Sequence, residues 1–286
     1  MTGVVVAGIL FFLIGICLLA SLPLIHPRRE SGTLSPAEYA LRYEDIVMTT
    51  SDGVRLCGWW ISAENSDRTV ILLHGYAGTM DPDLKYAPPL VSAGFNVLMF
   101  DFRAHGRSGG WISTLGACEV RDVQVAVDEA KRRGSRRVGL LGFSMGGRAA
   151  ILSISKVSGI HALISDCAPP RLHYAVTRNL ILRKIPDFLS WLLASVMLIG
   201  GSLLSGVNLF RQDPINAAEH LSGLPVLFTQ GGLDRYVRRS ELTKMVEQAG
   251  KTARLWYVDG AKHRDIEKTH PTEYLHNVIH FFQEAL

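Results

Sequence analysis

Residues Val138 to Ile151 read V-G-L-L-G-F-S-M-G-G-R-A-A-I: an apolar run, a serine set between glycines, then small residues. Val138 to Leu141 is expected as a short buried strand, Gly142 to Gly146 as a G-x-S-x-G turn, and Met145 onward as the start of a helix. Such a turn is a nucleophile elbow. A strand turning sharply into a helix pushes the serine oxygen out above the sheet, and the free N–H groups of the helix start point at any anion forming there. The serine backbone is strained in this shape, so only neighbours with little or no Cβ bulk fit. Gly142 and Gly146 meet that demand. A bare G-x-S-x-G string also describes a glycine-rich turn with a solvated serine, and partners elsewhere in the chain must decide.

The chain has 286 residues, 48% hydrophobic and 20% charged, enough for one large core or two small ones. A net charge of +4, with arginines scattered rather than interleaved with aromatics, gives no support to nucleic-acid binding. Gly3 to Ile25 carries no charged side chain and has about the length needed to cross a bilayer. Residues 1–27 are therefore expected as a transmembrane anchor. A cleaved signal peptide fits less well, because no basic side chain precedes the apolar run and Pro23 to Pro27 is a poor cleavage context. Arg28 and Arg29 follow the span, which by the positive-inside rule places the rest of the chain in the cytoplasm, the opposite orientation staying open. The four cysteines, Cys17, Cys57, Cys118 and Cys167, lie far apart without C-x-x-C spacing. They read as free thiols, with neither a zinc site nor a disulfide framework.

Residues 28–43 are polar and read as a tether, leaving 44–286 as one domain. Ile46 to Leu56 holds two β-type runs joined by Asp52-Gly53, a hairpin signal. Strands are expected at Val70 to Leu73, Phe95 to Phe100, Val138 to Leu141, Ala162 to Ser165, Val226 to Thr229 and Arg254 to Val258. Helices are expected at Asp83 to Ala93, Ala117 to Arg133, after the elbow, at Glu241 to Gln248 and from Pro271. Strands alternating with helices imply an α/β fold with a mostly parallel sheet covered on both faces. The alternation breaks over 168–214, which contains the apolar stretch Phe188 to Leu204.

A serine hydroxyl is a weak nucleophile at neutral pH and needs a base, itself oriented by a carboxylate. In open parallel sheets the functional loops gather at the carboxyl ends of strands. Asp234 and His263 each follow a strand there, in the chain order Ser, Asp, His.

From the hairpin to the last helix the sequence resembles the α/β-hydrolase superfamily, most of all its membrane-anchored single-domain serine hydrolases. Five motifs stand in that family's order: H-G-Y-A-G at His74, D-F-R-A-H-G-R-S at Asp101, G-F-S-M-G at Gly142, G-G-L-D at Gly231 and G-A-K-H at Gly260. The resemblance implies Ser144 as nucleophile, His263 as general base, Asp234 as orienting carboxylate, and the backbone N–H groups of Tyr76 and Met145 as the oxyanion hole. It implies no metal and no organic cofactor. Asp166, ending the strand after the elbow, is the rival carboxylate. His74 and His105 are expected to fix loops, and His270 to cap a helix before Pro271. Asp101 and Arg103 read as a structural turn and ion pair, and Asp122 as a solvated or capping side chain.

The resemblance also makes the insertion at 168–214 a lid. Three readings compete for its apolar run. A second transmembrane crossing would part Ser144 from Asp234 and His263. The others are a buried helix pair broken at Gly200-Gly201 and a lid dipping its apolar face into the bilayer, with Arg171, Arg178, Arg183, Lys184 and Arg211 near headgroups. The membrane-facing lid is favoured, and with it a small-molecule or lipid acyl substrate and contact with membrane lipid. The expected function is hydrolysis of a carboxylic ester or thioester, against a non-catalytic membrane-tethered scaffold that binds a lipid or a partner protein.

Overall fold

The hairpin at Asp52-Gly53 forms, joining β1 (Tyr43–Thr49) to β2 (Arg55–Ile61) in antiparallel register, with Gly53 at φ 80° in the turn. The structure, a computed structural model, describes residues 2–30 and 32–286. Met1, in the expected anchor, and Ser31, in the expected tether, lie outside the described residues. β3 (Arg68–Leu73), β4 (Asn96–Phe100), β5 (Arg137–Phe143), β6 (Ala162–Asp166), β7 (Val226–Gly231) and β8 (Ala253–Val258) grow from the apolar runs seen in the sequence. They make one eight-stranded sheet, ordered β1-β2-β4-β3-β5-β6-β7-β8. Pairing is antiparallel as far as β2–β4 and parallel from there on.

Both faces are covered, so inner strands are apolar on both sides. Ile71 and Leu73 of β3 enter one core, with α3 (Val120–Arg132) and α4 (Met145–Ser153), while Val70 and Leu72 enter the other, with α2 (Ala87–Ser92). α5 (Leu172–Leu182), α6 (Asp187–Ser205), α7 (Pro214–Ala217), α8 (Arg239–Ala249), α9 (Ile266–Thr269) and α10 (Pro271–Ala285) complete the chain after β6. The single helix expected at Asp83 to Ala93 is instead a 3-10 turn over Asp81–Tyr86 followed by α2. Pro88 and Pro89 have no N–H to continue a ladder, so an α-helix can only begin around them.

The insertion corrects the sequence reading in one respect. Its helix pair breaks between α5 and α6, where Lys184 takes φ 68° ahead of Pro186, and α6 runs unbroken through Gly200-Gly201. Those glycines serve close approach instead. They face α1 (Thr2–Ile25), and a Cβ on Gly200 would collide with the carbonyl oxygen of Cys17. Val4–Ile25 and Asp187–Ser205 are both long and apolar enough to cross a membrane. α1 does not stand clear of the domain: Ser21, Leu24 and Ile25 are buried, and the Ser113 N–H donates to the Ile25 carbonyl at 2.8 Å. The segment after it also stays on the body, where Arg29 donates to the Gly110 carbonyl at 2.5 Å and the Leu34 N–H to Asp81 at 2.9 Å.

A methyl group added at an exposed helical glycine normally stabilises by about 0.5–1 kcal/mol. At Gly200 the overpacking against α1 should dominate and cost about 1–3 kcal/mol. Thermal unfolding in detergent is expected to show a lower midpoint for Gly200→Ala, and little change for Leu203→Ala on the exposed face of α6.

Candidate active site

Strand register gathers the loops. Leu73 lies opposite Gly142, Phe143 opposite Asp166, Asp166 opposite Thr229, and Gly231 opposite Val258, so five consecutive strands of the sheet end at one edge. Ser144 leaves β5 there at φ 51°, ψ −106°, outside the regions open to ordinary residues. The elbow closes because its glycines are bare. A Cβ on Gly142 would lie 2.6 Å from the Gly146 carbonyl oxygen, and one on Gly146 would strike the carbonyl of Leu73.

His263 Nε2 stands 2.9 Å from Ser144 Oγ, and its Nδ1 stands 2.7 Å from Asp234 Oδ2. Residues far apart in the chain thus form one hydrogen-bonded series. With Asp234 accepting at Nδ1–H, Nε2 is left free to accept from the serine hydroxyl. The Asp234 side chain is fully buried, and its remaining acceptor sites take the Gln230 side-chain amide at 2.9 Å and the Tyr236 N–H at 2.8 Å. Asp166, the rival carboxylate, turns elsewhere and accepts from the Tyr274 hydroxyl at 2.5 Å. The N–H groups of Tyr76 and Met145 have no hydrogen-bond partner among the described residues, and both residues line the cavity that Ser144 faces.

His74 and His105 hold loops. Each donates Nδ1–H to a backbone carbonyl, Gly75 at 2.7 Å and Arg103 at 2.8 Å, and accepts a backbone N–H at Nε2, from Phe102 at 2.9 Å and Ala77 at 3.2 Å. Burial, reinforced by His105, pushes His74 down to about 3, so it stays neutral. His270 stands at the surface as the residue before α10: its carbonyl accepts the Tyr274 N–H at 2.9 Å, and its ring nitrogen Nδ1 lies 2.9 Å from the Thr269 hydroxyl.

The sequence reading of two acidic residues is corrected. Asp101 makes no ion pair with Arg103; it accepts the Met80 and Arg107 N–H groups, each at 2.9 Å. Arg103 is bidentate to Asp122, its Nη2 donating to Oδ1 at 2.7 Å and its Nε to Oδ2 at 3.2 Å, and it reaches Asp52 at 2.8 Å. Asp122 is therefore fully buried rather than solvated, because the arginine supplies the counter-charge that burial requires.

Several neighbours gave no sequence signal. Tyr236 sets its ring edge-on to His263 at 4.8 Å. Arg264, next to the histidine, pairs with buried Asp83 at 2.5 Å and stacks over Phe143 at 4.3 Å. Cys167 Sγ lies within 4.8 Å of ligand atoms of Asp234 and His263, a grouping with the composition of a metal site. Within it the facing atoms are already engaged: His263 Nδ1 is bonded to Asp234 and its Nε2 to Ser144.

A cavity of about 710 Å³ opens over the serine. Ser144, His263, Gly75 and Tyr76 line it, as do apolar residues of the insertion, among them Val176, Leu180 and Met197.

A family model described as the alpha/beta hydrolase fold matches residues 68–197. An esterase of Pyrococcus furiosus superposes with a TM-score of 0.77 at 30% identity, over 91% of this chain and 98% of that one. The chain belongs to the α/β-hydrolase family. Among curated α/β-hydrolase relatives, the alpha/beta hydrolase domain-containing protein WAV2 of Arabidopsis thaliana is 29% identical over 82% of this chain and 76% of its own length. The uncharacterised protein YfhR of Escherichia coli is 27% identical over 85% of this chain and 81% of its own. The fold is thus that of an esterase-like α/β-hydrolase family.

The buried pair beneath this site should govern stability. Arg103→Leu strands Asp122 without its counter-charge, an expected loss of about 3–5 kcal/mol by urea unfolding at pH 7. Burial already pushes the Asp122 carboxyl upward against the pull of Arg103. In the variant the folded protein takes up a proton at a pH where the unfolded chain holds none, so lowering the pH to 5 should recover part of the loss.

Proposed function

We propose that the protein is a serine hydrolase that cleaves a carboxylic ester or thioester of a lipophilic acyl substrate at a membrane surface. One observation carries this reading: Ser144, on its strained elbow, is hydrogen-bonded to His263, which is hydrogen-bonded to buried Asp234. In the reaction Ser144 Oγ attacks the acyl carbonyl carbon and gives its proton to His263 Nε2. Asp234 holds the ring and stabilises the imidazolium. The oxyanion is received by the N–H groups of Tyr76 and Met145. His263 then protonates the departing alcohol or thiol as its bond to the acyl carbon breaks. Water, deprotonated by the same histidine, attacks the acyl-enzyme and releases the acid and the serine.

The membrane setting rests on α1 and α6. A crossing helix needs about 20 residues in hydrocarbon, yet the last turns of α1 are buried against the domain at Ser21, Leu24 and Ile25. If α1 is inserted, the bilayer must also meet the flank of the insertion beside it. That flank is apolar, with Phe188 78% and Trp191 57% exposed. Arg28 after the helix favours a cytoplasmic domain, and the insertion then acts as a membrane-facing lid.

A fluorophosphonate probe on the detergent-solubilised protein tests the chemistry. Wild type should label, and Ser144→Ala and His263→Ala should not. Asp234→Asn should cut ester turnover about ten-thousand-fold, while Asp166→Asn stays within about tenfold, its carboxylate being bonded to Tyr274 instead. A folded wild type that neither labels nor hydrolyses esters would favour a binding scaffold.

A further inference from the structure

The carboxyl end of α1 meets the site directly. A helix leaves its last four carbonyls without partners inside the helix. Here each finds one: the His26 N–H donates to Leu22 at 2.9 Å, the Ser113 N–H to Ile25 at 2.8 Å, and the Tyr76 hydroxyl is shared by Leu24 at 2.9 Å and Pro23 at 3.1 Å. Burial pushes the Tyr76 hydroxyl up to about 12, so it remains a donor. Tyr76 lines the cavity and carries one of the two backbone N–H groups assigned above to the oxyanion, and it sits between Gly75 and Gly78 in a segment with little backbone stiffness of its own. The same helix end also borders the cavity: Ala20, Pro23 and Leu24 line it together with Ser144 and with Leu193 and Met197 of α6.

We infer that α1 is a working part of the site: its last two turns wall the cavity that takes the acyl chain, and its terminal carbonyls, through the Tyr76 hydroxyl, brace the loop that carries the oxyanion donor. This rests on the esterase reading above. Tyr76 is on this account a positioning residue through its side chain, and Ala20 a determinant of chain length. An acyl group lying in this cavity passes between two helices that are both apolar enough for lipid, so the chain can be drawn from the membrane without leaving an apolar surface.

The test is a series of p-nitrophenyl esters from acetate to palmitate, assayed with the full-length protein in detergent, alongside fluorophosphonate labelling. Tyr76→Phe keeps the ring and removes the brace. It should lower kcat at least about tenfold for every chain length, as displacing an oxyanion donor does, with KM changed less than about twofold. Ala20→Trp should lower kcat/KM for palmitate at least about tenfold and leave acetate within about twofold, a methylene-scale discrimination by pocket filling. Ala20→Val provides a milder filling, with the same ordering, should the tryptophan disturb folding. Val5→Ala, on the exposed part of α1, should match wild type. A wild type that labels and hydrolyses, with Tyr76→Phe unchanged and flat chain-length profiles for the Ala20 variants, would reduce α1 to an anchor and overturn the inference. A wild type that does not label would instead overturn the esterase reading.

Discussion

The backbone of Ser144 at φ 51°, ψ −106° is the constraint on which the rest of the site depends. A residue held in so sparsely populated a region costs about 1–3 kcal/mol, and it persists only where its surroundings over-determine it. They do so here from several directions. The Ser144 N–H is tied to the Asp166 carbonyl at 2.8 Å, and the Arg148 N–H closes the first helical turn onto the Ser144 carbonyl at 3.0 Å. Arg148 is itself buried, and its guanidinium donates to the carbonyls of Leu115, Pro169 and Gln212 at 2.8–2.9 Å. One side chain thus fastens the helix after the elbow to the roots of the insertion.

Around this centre, buried charge is handled by pairing. Arg103 is shared by Asp122 and Asp52, and its guanidinium holds Asp52 well below the usual carboxylate range. Arg264 is paired with Asp83, and the Tyr274 hydroxyl is given to Asp166. These pairings leave Asp234 as the carboxylate that meets His263. Two acidic residues at neighbouring strand ends are separated in role by their partners, not by their distance along the chain.

The apolar elements follow a different logic. α1 and α6 have side chains that water does not favour, and they satisfy one another only in part. Gly200 lets the two backbones approach, while the outer faces, from Phe12 on α1 to Trp191 on α6, stay uncovered. The same two helices border the cavity above Ser144, so the greasy surface and the serine on its elbow belong to one structural unit.

The α/β alternation, the elbow and the order Ser144, Asp234, His263 were legible in the sequence because each depends on local rules: apolar runs for strands, bare glycines for a tight turn, and loops placed after strand ends. The apolar character of Gly3 to Ile25 was equally plain. Tertiary structure decided what depends on partners distant in sequence. Asp122 looks like a surface helix residue until Arg103 arrives from another loop. Gly200-Gly201 reads as a helix break until the backbone of α1 is laid against it. The sequence favours Asp234 over Asp166 by its loop, but that Asp166 is engaged elsewhere follows from where Tyr274, more than a hundred residues after it, places its hydroxyl. Local sequence encodes backbone shape and hydrophobic period, whereas the counter-charge of a buried acid or the space beside a glycine exists only once the chain has folded.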